Sequence, residues 1–272
     1  MRSQHIAFIG GGNMASAIIG GLVRNGMAPD HIWVVEPFPA TREVLEQGHK
    51  VNVMAEPGPA LAAANVVVWA VKPQTFKVAA QQCRVHTAQA VHLSVAAGIR
   101  SDSIAAWLGT ERIVRAMPNT PALIGKGMTA LFARAAITTD ERQHIEQVIA
   151  TTGELLWVAA EEQLDAVTAL SGSGPAYVFY FIEAMTQAGA DMGLPRDQAY
   201  QLALGTFLGA SELARSSAEP PELLRQRVTS KGGTTHAALQ SMEENHVKAL
   251  FMTAMFAAKK RANELGDEFG TN

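Results

Sequence analysis

The hydrophobic pattern of the chain changes once, near residue 158, and this change limits the folds that the chain can adopt. Before it, short runs rich in Val and Ile alternate with stretches long enough for crossover helices, and we predict strands at HIAFIG, HIWVVE, NVVVWAV, AVHLSVA and RIVRAM. Such alternation implies a parallel sheet with helices on both faces. From Leu164 onward only helical periodicity remains. The sequence therefore predicts an α/β fold, with a doubly wound sheet over residues 1–158 followed by an all-helical domain over residues 159–272.

Composition excludes several classes of function. The chain has 272 residues, 48% of them hydrophobic and 17% charged, and a formal net charge of −3. It lacks the basic runs and interleaved aromatic residues of a nucleic-acid platform. No apolar run reaches the roughly 20 residues of a membrane helix, and the N-terminus lacks the apolar core of a signal peptide. Cys83 is the only cysteine, so no intrachain disulfide can form, and we expect a cytoplasmic protein in which Cys83 is a buried or idle thiol.

A glycine-rich turn, AFIGGGNMASAIIGGL, follows the first predicted strand and opens a predicted helix. Gly10, Gly12 and Ala15 have the G-x-G-x-x-[GA] spacing of dinucleotide-binding turns. Gly10 allows the tight turn, Gly12 lets a pyrophosphate approach the backbone, and Ala15 lets the helix pack closely on the strand. Unpaired N–H groups at the helix start can then bind the phosphates. We predict a Rossmann-type dinucleotide site here in preference to a merely structural turn.

Two residues bear on which dinucleotide binds. Glu36 ends the second predicted strand, where an acidic residue binds the adenosine ribose 2′-hydroxyl in NAD-dependent proteins and would repel the 2′-phosphate of NADP. Arg42 is close by and could pair with that phosphate, although a solvated helix charge explains it at least as well. The residues alone leave the choice of coenzyme open.

Two more candidates follow predicted strands, and ligands of open α/β sheets bind beyond the carboxyl ends of strands. Lys72 lies in WAVKPQ and Asn119 in RAMPNTPAL. For Lys72 alone, a solvated surface lysine is the default. Pro118 and Pro121 fix the turn that carries Asn119, so its amide is offered at a set place, although a rigid loop explains the same residues.

A second glycine turn, RVTSKGGTTHAAL, lies near the end of the chain. Ser230 and Thr235 flank Gly232 and Gly233, and a predicted helix begins near Thr234. Glycines can turn backbone N–H groups toward one point and the hydroxyls add donors, so a small anion fits there. The spacing of a P-loop is absent. A capped helix after a glycine loop, without a ligand, is the plainer alternative.

Five motifs occur in order along the chain: FIGGGNMASAI, AVKPQ, RAMPNTPAL, AVTALSGSGPAY and ELLRQRVTSKGGTTHAAL. Together they resemble the pyrroline-5-carboxylate reductase family over nearly the whole length. The resemblance implies a Rossmann domain, a helical domain that forms a homodimer, often the unit of a larger ring, and NADPH or NADH as reductant. It implies reduction of L-1-pyrroline-5-carboxylate to L-proline, the last step of proline synthesis. Apolar helices around 177–192 and 251–256 fit a large dimer interface.

The resemblance also implies roles for individual residues. It places the substrate carboxylate at the second glycine turn, and the catalytic residues that it implies are Thr235, Ser230 and Lys72. A fixed hydroxyl such as that of Thr235 can polarise the imine nitrogen or relay a proton. The implied substrate-binding residues are Ser173, Gly232, Gly233 and Thr234. The implied cofactor-binding residues are Gly10, Gly12, Asn13, Met14, Glu36, Ala70, Lys72, Pro73 and Asn119.

The sequence departs from the family pattern at two places. Lys231 stands where proline is frequent, and this change is expected to be harmless. Glu36 and Pro37 stand where members that use NADP often have small or basic residues. The second departure puts a preference for NADPH in doubt.

Two other functions share part of the pattern. The β-hydroxyacid dehydrogenases also join a Rossmann domain to helices, but they usually have a catalytic lysine on a helix, whereas Lys231 is predicted to lie in a loop. A redox-sensing module would bind the dinucleotide and leave the second turn without a ligand. The eight histidines form no metal motif, so no metal is expected. The adjacent pairs Glu161/Glu162 and Glu243/Glu244 are predicted to be solvated.

Overall fold

The computed structural model describes residues 4–270, and a single eight-stranded sheet forms the centre of this part of the chain. The strands are β1 (Ile6–Ile9), β2 (Ile32–Val35), β3 (Asn52–Met54), β4 (Val66–Trp69), β5 (Val91–Ser94), β6 (Ile113–Met117), β7 (Gly127–Ala133) and β8 (Gly153–Trp157). In the sheet they lie in the order β3-β2-β1-β4-β5-β6-β7-β8. The first six have the 3-2-1-4-5-6 order of a doubly wound dinucleotide-binding sheet.

The five predicted strands are β1, β2, β4, β5 and β6, and their mutual pairings are parallel as expected. The expectation of a parallel sheet is wrong for one pair, because β6 and β7 are antiparallel. Residues 118–126, which join them, contain only a 3₁₀ turn, Thr120–Ile124, and are too few for the crossover of a parallel pair. The sequence pattern also does not predict β3, β7 or β8.

Helices cover both faces of the sheet, which confirms the doubly wound fold. They are α1 (Asn13–Arg24), α2 (Pro39–His49), α3 (Pro73–Cys83), α4 (Ser101–Leu108) and α5 (Thr139–Ile149). Successive side chains of a strand point to opposite faces, and β1 contributes Ile6 and Phe8 to one apolar core and Ala7 and Ile9 to another. All four are buried, so β1 reads as a continuous apolar run.

The rest of the chain is helical, as predicted. Its elements are α6 (Gln163–Val167), a π-helical turn (Thr168–Gly172), α7 (Gly174–Asp191), α8 (Arg196–Ser216), α9 (Pro221–Arg227), α10 (Thr234–Glu244) and α11 (Val247–Gly270). Pro175 lies in the first turn of α7, and Gly193, with a φ of 99°, follows its end. These are the start and stop signals that the sequence predicts.

The described residues form two compact units, 4–173 with 258–270, and 174–257. The first unit continues past residue 158, where the sequence pattern changes. The reason is that α6 packs against β7, with Leu164 and Ala169 buried. At the other end of the chain, Phe269 of α11 packs against the sheet core that contains Phe76. Helical periodicity therefore begins before the compact helical unit does.

The second unit buries few of its own apolar side chains. Ile182, Ala199 and Ala203 are buried, whereas α9 and α10 contain no buried residue. Phe179 and Phe256 are each 65% exposed. Across residues 4–270, no helix combines the length and the apolar character needed to cross a membrane.

Candidate functional site

The turn between β1 and α1 is fixed by its first glycine. Gly10 has a φ of 92°, which residues with side chains rarely adopt, and a Cβ there would lie 2.6 Å from the Ala70 carbonyl oxygen. Its N–H donates to the Val35 carbonyl at 2.8 Å, which ties the turn to β2. Backbone conformation and lack of space therefore both require glycine at this position.

The space in front of α1 is open to a ligand. Gly12 is the N-cap residue, its backbone is extended, and no side chain caps the helix. A Cβ on Gly12 would meet no atom within 4 Å, whereas Ala15, one turn later, is fully buried. The N–H groups of the first turn, beginning with Asn13 and Met14, are available to an anion at the positive end of the helix. The residues therefore fit the pyrophosphate of a dinucleotide.

Glu36 is buried beside this turn, with only 6% of its surface exposed. Its Oε2 accepts from the Gly11 N–H at 2.8 Å, and its Oε1 accepts from the Phe38 N–H at 3.0 Å. Arg42 Nη1 donates to the carbonyl oxygens of Glu36 and Pro37, at 2.7 and 2.8 Å. The carboxylate is thus fixed next to the glycine turn, and Arg42 binds the backbone of the loop that follows β2.

The segment after β4 lies beside the glycine turn, because β4 is the neighbour of β1. The Ala70 N–H donates to the Ile9 carbonyl at 2.8 Å. Lys72 is the N-cap residue of α3 and is exposed, and Pro73 is the first residue of that helix. The structure therefore places these three predicted residues at one edge of the sheet, as expected for strand ends.

Asn119 joins three segments at the end of β6. Its Nδ2 donates to the Ser171 carbonyl at 3.1 Å, and its Oδ1 accepts from the Met128 N–H at 2.9 Å. The sequence predicts an amide held at a set place. In the structure two hydrogen bonds hold it, one to the π-helical turn and one to β7.

The SGSGPAY segment begins in the π-helical turn, which the sequence pattern does not reveal. Single π turns occur frequently at functional sites. The Ser173 N–H donates to the Thr168 carbonyl at 2.8 Å, and a Cβ on Gly172 would lie 2.5 Å from Met117 Cε. Gly172 therefore lets the turn pack on the end of β6. Ser173 is half-buried and is the last residue of its compact unit.

The second glycine turn opens α10 in the other unit. Gly232 has a φ of 76°, and Gly233 is an extended N-cap residue without a side-chain cap. The Gly233 N–H donates to the Ser230 carbonyl at 3.0 Å, and a Cβ on Gly233 would lie 2.5 Å from Ser230 Oγ. The serine hydroxyl therefore lies against the helix start. Thr234 and Thr235 are the first two residues of α10, and Thr235 is half-buried.

The structure thus collects the predicted residues into two groups, one in each unit. At the carboxyl edge of the sheet lie Gly10, Gly12, Asn13, Met14, Glu36, Ala70, Lys72, Pro73 and Asn119, with Ser173 at the end of the same unit. At the start of α10 lie Ser230, Gly232, Gly233, Thr234 and Thr235.

One prediction about charged residues is wrong, because Glu161 is not solvated. Its side chain is 18% exposed and forms an ion pair with Arg115 at 2.7 Å. It also accepts from the Ser101 N–H at 2.6 Å and from the Ser101 hydroxyl. These partners are 46 and 60 residues away in sequence, so no local pattern could reveal them. Its neighbour Glu162 is exposed, as predicted.

Two titratable side chains are buried within the first compact unit, which contains the sheet. Burial raises the pKa of the Cys83 thiol to about 12, which fits the predicted buried thiol and not a nucleophile. Burial lowers the pKa of His92 to about 4, and Trp69 Nε1 donates to its Nδ1 at 3.1 Å. Within the described part of the chain, no three His, Cys, Asp or Glu side chains are arranged to hold a metal ion.

Known proteins resemble the chain over nearly its whole length. A family model described as pyrroline-5-carboxylate reductase dimerisation matches residues 161–265, and one described as NADP oxidoreductase, coenzyme F420-dependent, matches residues 5–98. The pyrroline-5-carboxylate reductase of Pseudomonas aeruginosa is 42% identical over 99% of this chain and 100% of its own.

Solved structures agree with this similarity. A pyrroline-5-carboxylate reductase from Coxiella burnetii is 37% identical, with a TM-score of 0.91 over 97% of this chain and 99% of that one. The pyrroline carboxylate reductase of Plasmodium falciparum, solved with NADP bound, is 28% identical, with a TM-score of 0.86 over 98% of this chain and 99% of that one.

Proposed function

Because this chain belongs to the pyrroline-5-carboxylate reductase family, we propose that it reduces L-1-pyrroline-5-carboxylate to L-proline with NADH or NADPH. The observation that carries the proposal is the second glycine turn. A dinucleotide-binding protein needs only one phosphate site, the glycine turn at the start of α1. The start of α10, which has no side-chain cap and has hydroxyl groups beside it, is an additional anion site. A cyclic imine with a carboxylate supplies the anion, and identity of 42% over the full chain to a curated reductase supports the same reaction.

The coenzyme is assigned to the carboxyl edge of the sheet. Gly10, Gly12 and the N–H groups of Asn13 and Met14 bind the pyrophosphate. The second half of a doubly wound sheet binds the nicotinamide half of the coenzyme, and Ala70, Lys72, Pro73 and Asn119 follow the ends of β4 and β6 in that half. When bound, the reduced nicotinamide supplies the hydride. Lys72 contributes a positive charge at this edge.

Glu36 favours NADH over NADPH. Its carboxylate is held beside the glycine turn by two backbone N–H groups, at the strand end where the adenosine ribose binds. A carboxylate there accepts a hydrogen bond from a 2′-hydroxyl and repels a 2′-phosphate. Arg42 donates to two backbone carbonyls of the same loop, so its guanidinium holds the loop.

The substrate carboxylate is assigned to the start of α10. The backbone N–H groups of Gly232 and Thr234 and the hydroxyl of Ser230 are its donors, and the positive end of the helix favours the negative charge. Gly233 is assigned to the same site because its N–H, bonded to the Ser230 carbonyl, fixes the turn. Reduction of the C=N bond adds a hydride to carbon and requires a proton at nitrogen. The Thr235 hydroxyl donates to that nitrogen or relays the proton. Ser173 is assigned to the substrate as well.

The protein is proposed to be a homodimer formed through its helical unit. Phe179, Tyr180, Leu208 and Phe256 are each more than 60% exposed on helices with little core of their own. Exposed apolar surface of this kind marks an interface, and the matching family model describes dimerisation. Assembly of dimers into a ring and a cytoplasmic location stay predictions.

The proposal is tested by mixing purified protein with pyrroline-5-carboxylate and following the nicotinamide absorbance, with NADH and NADPH side by side. We expect oxidation that depends on the imine, faster with NADH. If the protein binds the coenzyme but does not oxidise it in the presence of the imine, the proposed reaction is refuted. The redox-sensing module then becomes the favoured hypothesis. Light scattering at micromolar concentration tests the dimer, and a monomer mass would refute it.

A further inference from the structure

The loop between β5 and α4, residues 95–100, borders the half of the sheet to which the nicotinamide half of a dinucleotide binds. β5 lies between β4 and β6, and the loop leaves it at the carboxyl edge. The loop contains a turn but neither helix nor strand, so contacts with other segments help to fix its conformation. Two such segments follow it in the chain by 60 residues or more.

The first segment is the turn that carries Glu161. Ser101 is the first residue of α4, whose N-cap residue Arg100 provides no side-chain cap. Glu161 takes that place, since its carboxylate accepts from the Ser101 N–H at 2.6 Å and from the Ser101 hydroxyl. Arg115, which is 8% exposed, pairs with the same carboxylate at 2.7 Å, and Arg134 donates to the Ser101 hydroxyl at 3.1 Å. The negative charge of Glu161 therefore interacts favourably with the positive end of α4, and the positive charge of Arg115 balances it.

The second segment is the end of α11, which belongs to the same compact unit. Gly98 has a φ of 74°, and a Cβ there would lie 3.1 Å from Leu265 Cβ and 3.3 Å from Phe269 Cδ2. Arg100 pairs with Asp267 at 2.6 Å, although both side chains are about half exposed or more. Exposed pairs of this kind contribute little. The half-buried contacts of Glu161 with Ser101, the residue that follows the loop, are therefore the stronger hold on this end of the loop.

We infer that Glu161 is a positioning residue for hydride transfer: it fixes the loop of residues 95–100, and through it the nicotinamide ring, without touching the reacting atoms. The inference rests on the proposed function for the identity of the bound ring. Small errors in the placement of reacting groups cost large factors in rate. Loss of the Glu161 charge would also leave Arg115 buried without its partner, which loosens the same corner of the sheet.

The decisive variant is Glu161→Gln, which keeps the side-chain shape and removes the charge. Its matched control is Glu162→Gln. This variant removes the same charge from the neighbouring residue, whose side chain is exposed. Hydrogen exchange without coenzyme is the first measurement. We expect amides of residues 95–101 to exchange roughly tenfold faster in Glu161→Gln than in the control, with the amides of β1 and β4 unchanged.

The second measurement uses the bound coenzyme. We expect the fluorescence lifetime and anisotropy of bound NADH to fall in Glu161→Gln, while its Kd stays within about twofold because the phosphate cradle is intact. With imine present, kcat should fall by roughly tenfold and the KM for coenzyme should stay nearly constant.

The outcomes separate the two proposals. If Glu161→Gln matches Glu162→Gln in loop exchange and in NADH fluorescence, Glu161 does not position the loop. A wild type that binds NADH but does not reduce the imine would refute the proposed reaction, whereas the exchange and fluorescence results would still decide the role of Glu161. If Glu161→Gln does not fold, Ser101→Ala serves instead, because it keeps the Glu161–Arg115 pair. It should show the same changes at roughly threefold, and no change relative to wild type would overturn the inference.

Discussion

The two glycine-led helix starts of this protein are alike in backbone and different in surroundings. At the N-cap of α1, Gly12 has φ −69° and ψ −172°, and at the N-cap of α10, Gly233 has φ −81° and ψ 175°. Neither helix is capped by a side chain. However, seven residues of α1 are buried, whereas none of α10 is. The same kind of helix start, with a glycine at the N-cap, therefore occurs once on a helix packed into the core and once on an exposed helix.

This difference separates what a glycine turn does from what its surroundings add. The turn alone provides oriented N–H groups and a positive helix end, which suffice to attract an anion. At α1 the sheet unit supplies the remaining walls, with Glu36 and Ala70 in contact with the turn. At α10 the described residues of its own unit supply Ser230 and little else. We therefore expect the first turn to bind its ligand as a rigid site and the second to depend on the hydroxyls beside it.

The largest expected effect comes from the exposed turn. Thr235→Ala should lower kcat by roughly 10²–10³-fold, because the proton donor for the imine nitrogen is lost. The Kd of NADH, measured by fluorescence titration, should not change. Thr206→Ala is the control, since its hydroxyl donates to the Leu202 carbonyl within an exposed helix. Equal turnover in the two variants would remove Thr235 from the mechanism.

Next in size is a change at the glycine turn of α1. Gly12→Ala should weaken NADH binding by roughly 100-fold, or about 2.7 kcal/mol, because its Cβ projects into the space of the pyrophosphate. The melting temperature should stay close to that of wild type, since this Cβ meets no atom within 4 Å. Gly10→Ala provides the contrast, because its Cβ would lie 2.6 Å from the Ala70 carbonyl oxygen and should destabilise the fold. An unchanged Kd for NADH in Gly12→Ala would show that the pyrophosphate does not occupy the space in front of α1.

Acid should act on the first compact unit through the buried His92 of β5. The pKa of His92 is lowered to about 4 by burial, whereas an unfolded histidine titrates near 6.5. Below pH 6.5 the unfolded chain therefore binds a proton that the folded chain does not, and stability falls as pH falls toward 4. We expect a loss of roughly 2 kcal/mol by pH 5, measured by urea unfolding.

The control for this pH effect compares two histidines. His92→Gln, which keeps an acceptor for Trp69, should flatten the dependence between pH 6.5 and 5. His236→Gln, at the exposed turn, should leave the slope as in wild type. A slope that follows His236 and not His92 would show that the second unit governs acid stability.

The smallest expected effect concerns coenzyme choice at the first turn. Glu36→Gln should raise the ratio of kcat/KM for NADPH to that for NADH by about tenfold, or about 1.4 kcal/mol, because a charge that repels the 2′-phosphate is removed. Glu43→Gln is the control, since its exposed carboxylate on α2 accepts only from Gln47 among the described side chains. An unchanged ratio in Glu36→Gln would show that Glu36 does not discriminate between the 2′-hydroxyl of NADH and the 2′-phosphate of NADPH.

Prediction from sequence succeeded where the signal is local. The five strands with a strong apolar run, the glycine turn of α1 and the helix start at Thr234 are each specified by residues close together in the chain. The antiparallel direction of β7 follows from the short connection of residues 118–126, but the sequence pattern does not mark where β7 begins. The π-helical turn before Ser173 carries no pattern that separates it from an α-helix.

The sequence by itself determined the fold class, the glycine turn of α1 and the family of this protein, because periodicity, turn residues and the motifs are each read from residues close together along the chain. The tertiary structure alone decided how Glu36 and Asn119 are held and that Glu161 joins Ser101 to Arg115. The physical reason is that hydrogen bonds and ion pairs depend on distance in space. Partners 46 or 60 residues apart in the chain are brought together only by the tertiary fold.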